Sequence, residues 1–529
     1  MKSIVDRKMS RRSFTKLSLL AAGSAAIPFT GGCSSLAVKK NVPVLSGARP
    51  VRLINCNIVD VENGRIINNS SIVIMNGKIS YITDKQAVAD LGYETFDLQN
   101  QYVIPGLIEA HCHTTSPGTM AFDIFETPAD MRQNKNSLPQ YIEAGITTIR
   151  DTGAMVNELH KRLEEIKNGS LIGPRIIYCN SILNIDGGHP DIKPSDLSIF
   201  GGIASTFLGS LTTDFRSTQE LKEKMVENAG NGARFIKLTV DDTSCLLGRN
   251  KIKIYSDEHL KIIFDFAEKM ELPVVCHNHF KYGFDRLSKY PVHSFEHLIC
   301  DSLKSDREIE TMVKKNIAIV PTAIVAQYLA PYEIFDKMPK IFKTDFIENE
   351  LKIKEDYFKT LAKAYCDPVI HANNMKNKAG YKNIDNKKWV ESMKVIPKPD
   401  IYYNILNDGM TNLKRMRDAG VLIGCGTDAG TPFNYHGALW REMELYHRIG
   451  FTNQEVLKCA TINNAKILGI ADETGSIKEG KLADLVVLKK NPYDHITAFR
   501  KPEMVFREGE LMFSARNLKH DTGNWKTDS

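Results

Sequence analysis

The sequence predicts an α/β protein: a (β/α)8 TIM barrel joined to a small β-sandwich domain that both chain ends build. Three observations predict it. Residues 106–473 alternate short apolar runs with amphipathic helical stretches, the mark of a parallel sheet, and so many units favour a closed barrel over an open sheet. β-rich runs with turn signals occupy 51–105 and return at 474–515. The chain has 529 residues, too many for one ordinary domain. Hydrophobic content of 42% and charged content of 25% exclude a disordered or collagen-like chain. A mean hydropathy of −0.26 excludes a multi-span membrane protein.

The elements follow in chain order. Ser10-Arg11-Arg12-Ser13-Phe14-Thr15-Lys16 precedes the apolar run Leu17 to Phe29, too short for a comfortable bilayer span. This arrangement resembles a twin-arginine export signal, and Gly31-Gly32-Cys33 is similar to the end of a lipoprotein signal. Residues 1–33 are therefore expected to be an export signal, with Cys33 a candidate for lipidation; a plain cleaved signal or an amphipathic anchor is the alternative. The expected location is the periplasm or the exported side of a bacterial membrane, with the signal or lipid the only membrane contact. Residues 34–50 read as a tether. In 51–105, Asn76-Gly77 between two β-rich runs is a strong hairpin signal.

The barrel runs include Gly145 to Arg150, Arg175 to Tyr178, Phe235 to Val240, Pro273 to Cys276, Ile317 to Val320 and Val421 to Gly424. Between 326 and 399 the rhythm breaks into a helical, Lys- and Tyr-rich stretch, expected as an insertion or lid over the barrel mouth. Residues 474–515 complete the β domain and 516–529 form a tail. The net charge of +6 is mostly local, since residues 1–32 carry +5 of it. No basic stripe with interleaved aromatics tracks a phosphate backbone, so no nucleic-acid partner is expected. The ten cysteines include no CxxC pair and lie mostly in apolar runs, which predicts buried free thiols.

Several side chains fall at predicted strand ends, where this architecture places chemistry. His111 and His113 are i and i+2, so their imidazoles share one face. His277 ends the run Pro273 to Cys276, His297 ends the next short segment, and Asp428 ends the last strand. Lys237 is the odd residue of its strand, because Ile236, Leu238 and Val240 take one face and leave it pointing to the barrel axis. An interior lysine is costly unless paired or altered. Either it pairs with a carboxylate such as Glu109, or a neutral amine captures carbon dioxide as a carbamate that can bridge two cations.

With these residues in place, the chain resembles the metal-dependent amidohydrolase superfamily over nearly all of residues 50–515. The resemblance rests on Pro105-Gly106-Leu107-Ile108-Glu109-Ala110-His111-Cys112-His113, with Glu109 where Asp is usual, on Gly145 to Asp151, on Gly426-Thr427-Asp428-Ala429-Gly430, and on the tail from Ala460 to Asp484. Phe235-Ile236-Lys237 and Asp186-Gly187-Gly188-His189 are similar to the imidazolonepropionase-related, prolidase-like branch. The resemblance implies His111, His113 and Asp428 on one metal, His277 and His297 on a second, and Lys237 as N6-carboxylysine between them. It implies a divalent cofactor, two zinc ions by default, although donor type alone also admits iron, manganese or cobalt.

The implied activity is hydrolysis of an amide, peptide or cyclic-amide C–N bond in a small molecule by a metal-bridging hydroxide, with Asp428 moving the proton. A dipeptidase or an N-acyl amino acid hydrolase fits. Deaminases of the same fold usually carry Glu three residues after the histidine at the place of His277; here Phe280 stands there. An exported binding protein without catalysis is the other alternative, and no ligand is missing to favour it. Candidate substrate contacts are His189, His279, Arg286 and His436. Arg286 suits a substrate carboxylate or a surface ion pair; His189 and His436 suit substrate contact or support of a metal ligand. Thr239-Val240-Asp241-Asp242 departs from the branch's glycine-rich continuation, implying an unfamiliar pocket. Homo-oligomerisation is left open.

Overall fold

The computed structural model describes residues 50–83, 92–119, 128–189, 211–244, 249–380 and 399–515. The export signal with Cys33, nearly all of the tether, residues 381–398 of the insertion and the tail lie outside the described residues.

The two chain ends share one seven-stranded sheet. β1 (Val51–Asp60), β2 (Arg65–Met75), β3 (Lys78–Thr83) and β4 (Glu94–Pro105) come from the N-terminal side. The strands β16 (Leu485–Leu488), β17 (Met504–Arg507) and β18 (Glu510–Ser514) come from the far end, in the order β18-β17-β16-β4-β1-β2-β3. Asn76 and Gly77 both have positive φ, 52° and 74°, and turn β2 into β3 as the dipeptide predicts. Where a β-sandwich is expected, the seven strands form one continuous hydrogen-bonded sheet. Bulges in β1 around Cys56 bend it, with Asn55 at φ 51°. The edge strand then meets the chain entering β16, where Ile79 N donates to Lys481 O at 2.8 Å and Ala483 N to Gly77 O at 2.9 Å. One coiled sheet thus wraps its own apolar core of Leu53, Ile72, Leu98, Val487 and Phe506.

The middle of the chain is built on two parallel sheets. β5 (Leu107–Cys112), β6 (Ile146–Asp151) and β7 (Arg175–Tyr178) form one sheet. A second sheet draws on β8 (Ile182–Ile185), β9 (Thr212–Phe215), β10 (Ile236–Thr239), β13 (Val274–His277), β14 (Ser294–Glu296) and β15 (Ala318–Val320), in the order β15-β14-β13-β10-β8-β9. The short β11 (Thr243–Ser244) and β12 (Arg249–Asn250) pair separately. Val421 to Gly424, expected as a full strand, makes single bridges instead. Ile423 bridges Ile319, Cys425 O accepts from Ala110 N at 3.1 Å, and His111 O accepts from Asp428 N at 2.7 Å. The approach is too close for side chains at two points: a Cβ on Gly424 would lie 2.5 Å from Asn464 Oδ1, and one on Gly426 2.8 Å from His111 N.

The stretch after β15 is helical, as expected, with helices Ile324–Leu329, Asp345–Thr360 and Pro368–Gly380. It packs on the loops that follow His113 and Asp428. Asn374 Nδ2 donates to Gly118 O at 2.9 Å and to Tyr435 Oη at 3.0 Å, and Phe358 meets Phe433 edge to face.

Candidate metal centre

His111 and His113 leave the end of β5 and Asp428 is bonded beside them, so three donors from two distant chain segments converge. Asp428 Oδ1 lies 3.3 Å from His111 Nε2 and 3.1 Å from His113 Nε2. Asp428 and His297 both adopt left-handed φ, 60° and 73°, which turns the chain sharply just beyond the strand ends. The other ring nitrogens settle the tautomers. His111 Nδ1 donates to Glu296 Oε2 at 2.6 Å, and His113 Nδ1 donates to Gly153 O at 2.7 Å. Both acceptors lack a proton to give, so the lone pair of each Nε2 faces the Asp428 carboxylate. Three electron-rich atoms facing one another is the donor set of a divalent cation. Burial alone would raise the Asp428 carboxyl, but the His111 and His113 rings outweigh it and hold it well below the usual range. Burial pushes His113 down, and the adjacent Asp428 carboxylate pushes it further up, for a net rise.

A second group adjoins the first. Donor nitrogens of His277, His279 and His297 all lie within 4.8 Å of one another, as do donors of His111, His297 and Asp428. His279 Nδ1 donates to Leu298 O at 3.3 Å, and His297 Nδ1 pairs with Thr322 Oγ1 at 2.6 Å. Burial, then neighbouring imidazoles, push His277 and His297 well below the ordinary histidine range. His189 stacks on His277 with centroids 4.3 Å apart, and burial lowers it to about 3 and His279 to about 4. Lys237 is buried on β10, and its Nζ, like His277 Nε2, has no hydrogen-bond partner among the described residues. Burial pushes this amine below its ordinary pKa.

A family model, Amidohydrolase family, matches residues 102–512. The chain belongs to the amidohydrolase family. Ochratoxinase of Aspergillus niger is 22% identical over 506 residues, covering 90% of this chain and 89% of its own. Its crystal structure superposes with a TM-score of 0.62 at 20% identity, covering 88% and 96% of the two chains. A Xaa-Pro dipeptidase structure gives a TM-score of 0.62 at 23% identity over 87% of this chain and 99% of that one. The imidazolonepropionase of Thermoplasma acidophilum is 40% identical over 92 residues, 17% of this chain and only 22% of that protein's length. This amidohydrolase is an enzyme, a hydrolase of carbon–nitrogen bonds, and its family generally binds a divalent metal, for which these histidines and Asp428 are candidate ligands.

Not every expected residue of the amidohydrolase site converges. Glu109 is not the partner of Lys237: its carboxylate accepts from Thr427 N at 2.7 Å and Thr427 Oγ1 at 2.9 Å, and burial raises it to about 8. The loop before Asp428 claims it first. Arg286 pairs with Asp257 at 2.7 Å across two helices, and among the described residues no bond joins it to the histidines. This is the ion pair the sequence allows as the alternative to a substrate carboxylate, formed because helix Lys281–Leu287 turns Arg286 toward helix Asp257–Met270. His436, wholly buried and lowered by burial to about 4, has Nε2 3.1 Å from His113 O, so it supports the main chain of a candidate ligand.

Sequence reasoning missed Glu296 and Arg150. Arg150 Nη2 lies 2.8 Å from both Glu296 oxygens, and Ser294 Oγ donates to Oε1 at 2.6 Å. The signal available for both was a charged residue directly after an apolar one in a short strand, Ile149-Arg150 and Phe295-Glu296. Asp241 was missed too. It accepts from His279 N at 2.7 Å and Asn278 Nδ2 at 2.8 Å, and burial raises it to about 7.

Proposed function

We propose that this amidohydrolase hydrolyses the amide, peptide or cyclic-amide bond of a small molecule using two divalent cations, zinc by donor preference, with a carboxylated Lys237 between them. The observation that carries it is the set of bare donors: two Nε2 lone pairs facing Asp428, and a buried Lys237 amine beside three histidines with no partner among the described residues. His111, His113 and Asp428 would hold one cation; His277 and His297 the other. When bound, the cations supply Lewis-acid polarisation of the scissile carbonyl and a water acidified from a pKa of ~16 toward neutrality.

The protein's own residues do the rest. Asp428 takes the proton of the attacking water as the C–O bond forms, and returns it to the leaving nitrogen as the C–N bond breaks. His189 and His279, neutral at pH 7, contact substrate by hydrogen bonding rather than charge. Phe280 caps the next helix through its main chain and offers no carboxylate for a deaminase. Ochratoxinase and the Xaa-Pro dipeptidase, similar over most of the chain, favour dipeptides and N-acyl amino acids as the first substrates to screen. The eight parallel segments at β5, β6, β7 with β8, β10, β13, β14, β15 and 421–425 are read as a closed barrel. Export by the twin-arginine route, with Cys33 as lipid anchor, is part of the same proposal.

The test is elemental analysis of the purified protein beside Lys237→Ala. The parent should hold about two equivalents of metal and the variant about one. A single equivalent that survives the substitution would sink the bridged site.

A further inference from the structure

We infer that Glu296, fixed by Arg150 and Ser294, is the positioning residue that makes His111 a metal ligand; this rests on the metal site proposed above. His111 has two acceptor carboxylates, one at each ring nitrogen: Glu296 Oε2 at 2.6 Å from Nδ1 and Asp428 Oδ1 at 3.3 Å from Nε2. A neutral imidazole has one proton to give. With the proton on Nδ1, the Nε2 lone pair is free for a cation. With it on Nε2, the ring hydrogen-bonds Asp428 and the cation position is blocked. Glu296 therefore decides between a ligand and an ordinary histidine–aspartate bond.

Glu296 can do this because it is ionised and immobile. Its carboxylate is wholly buried, which is tolerable only when paired. Arg150 pairs with both oxygens at 2.8 Å, Ser294 Oγ holds Oε1 at 2.6 Å, and Arg150 Nε is itself tied to Ala110 O at 2.6 Å. Phe235 lies against the guanidinium at 5.5 Å. Ala110 and His111 belong to β5, Arg150 to β6, and Ser294 and Glu296 to β14, so one network ties three strands beneath the site. His113 takes the same tautomer from a main-chain carbonyl, Gly153 O, which no side-chain substitution alters. His111 depends on a carboxylate side chain, where His297 has the Thr322 hydroxyl at 2.6 Å.

Full-length parent, Glu296→Gln and Ser294→Ala are stripped with chelator and titrated with Zn2+ against a chromophoric competitor; nitrogen NMR of the metal-free proteins reads the histidine tautomers. Glu296→Gln should bind Zn2+ ~10–100-fold more weakly, and its His111 should lose the Nδ1–H form that the parent shows. Ser294→Ala, which leaves Arg150 paired, should weaken binding in the same direction by less, and decides the matter if Glu296→Gln does not fold. Affinities within about twofold of the parent, with Nδ1–H retained, overturn the inference. A parent that binds no Zn2+ overturns the metal site itself, so the two failures are told apart.

Discussion

The two halves of the candidate site are built on opposite electrostatic plans. Around His111 and His113 the protein supplies anions: Asp428 faces both rings and Glu296 backs one of them. Around His277, His279 and His297 it supplies a threonine hydroxyl and a main-chain carbonyl, with the rings packed on one another, and one carboxyl, Asp241, 3.7 Å from His277 Nε2, which burial raises to about 7. Lys237 is buried near both halves, and a buried ammonium would repel a cation. The first half can balance a divalent ion as folded. The second has only the Asp241 carboxyl, raised by burial to about 7, and would gain a firm anion if Lys237 were converted to a carbamate. Burial, then the neighbouring imidazoles, depress His277 and His297, and burial depresses His279; Asp428 reverses the balance for His113.

Three measurements would break or sharpen that contrast. The largest effect is expected in the anionic half, where Asp428→Asn should lower kcat by ~10²–10⁴-fold; a loss under about tenfold would mean that the proton travels elsewhere. The next is a pH effect from the neutral half. His189 and His279 titrate near 3 and 4 in the fold against an ordinary 6.5, so the unfolded chain gains protons first as pH falls. Stability they contribute is therefore full above 6.5 and is lost as pH drops toward 4, about 3 kcal/mol for each. His113, shifted upward, works in the opposite sense and is stabilising at low pH. Urea unfolding of metal-free protein between pH 7 and 4 should show the net loss, and His189→Gln should flatten it by about one proton. An unchanged slope would mean that His189 is not held neutral. The smallest effect is expected for Arg286→Ala, which breaks a pair to a mostly exposed Asp257. Its kcat/KM should stay within about twofold; a tenfold rise in KM would return Arg286 to the substrate.

How far the sequence reached depends on how local each cause is. Strand periodicity places His111 with His113 and turns Lys237 inward, because successive side chains alternate faces whatever the strand packs against. The Asn76-Gly77 hairpin was legible for the same reason, since both positions need positive φ. The candidate ligands at strand ends follow from the alternation of apolar runs and helices, and the family resemblance supplied their order. The β domain was legible as a product of both chain ends but not as one coiled sheet, since bulges and edge closure are settled by pairing across hundreds of residues.

Partnerships between strands are of that second kind. Glu296 stands 185 residues from His111, and only the parallel register of β14 beside β13, with the bridges from β15 through 421–425 to β5, brings them within 2.6 Å. Arg286 and Glu109 carry the right charge for the roles expected of them, yet Asp257 and Thr427 are nearer and take them. Local periodicity by itself determined that His111, His113 and Lys237 share the interior face, though not that Arg150 and Glu296 do. Only the tertiary structure decided which inward groups meet, because a hydrogen bond needs a partner within about 3 Å, and that distance is set by packing between segments that the chain separates.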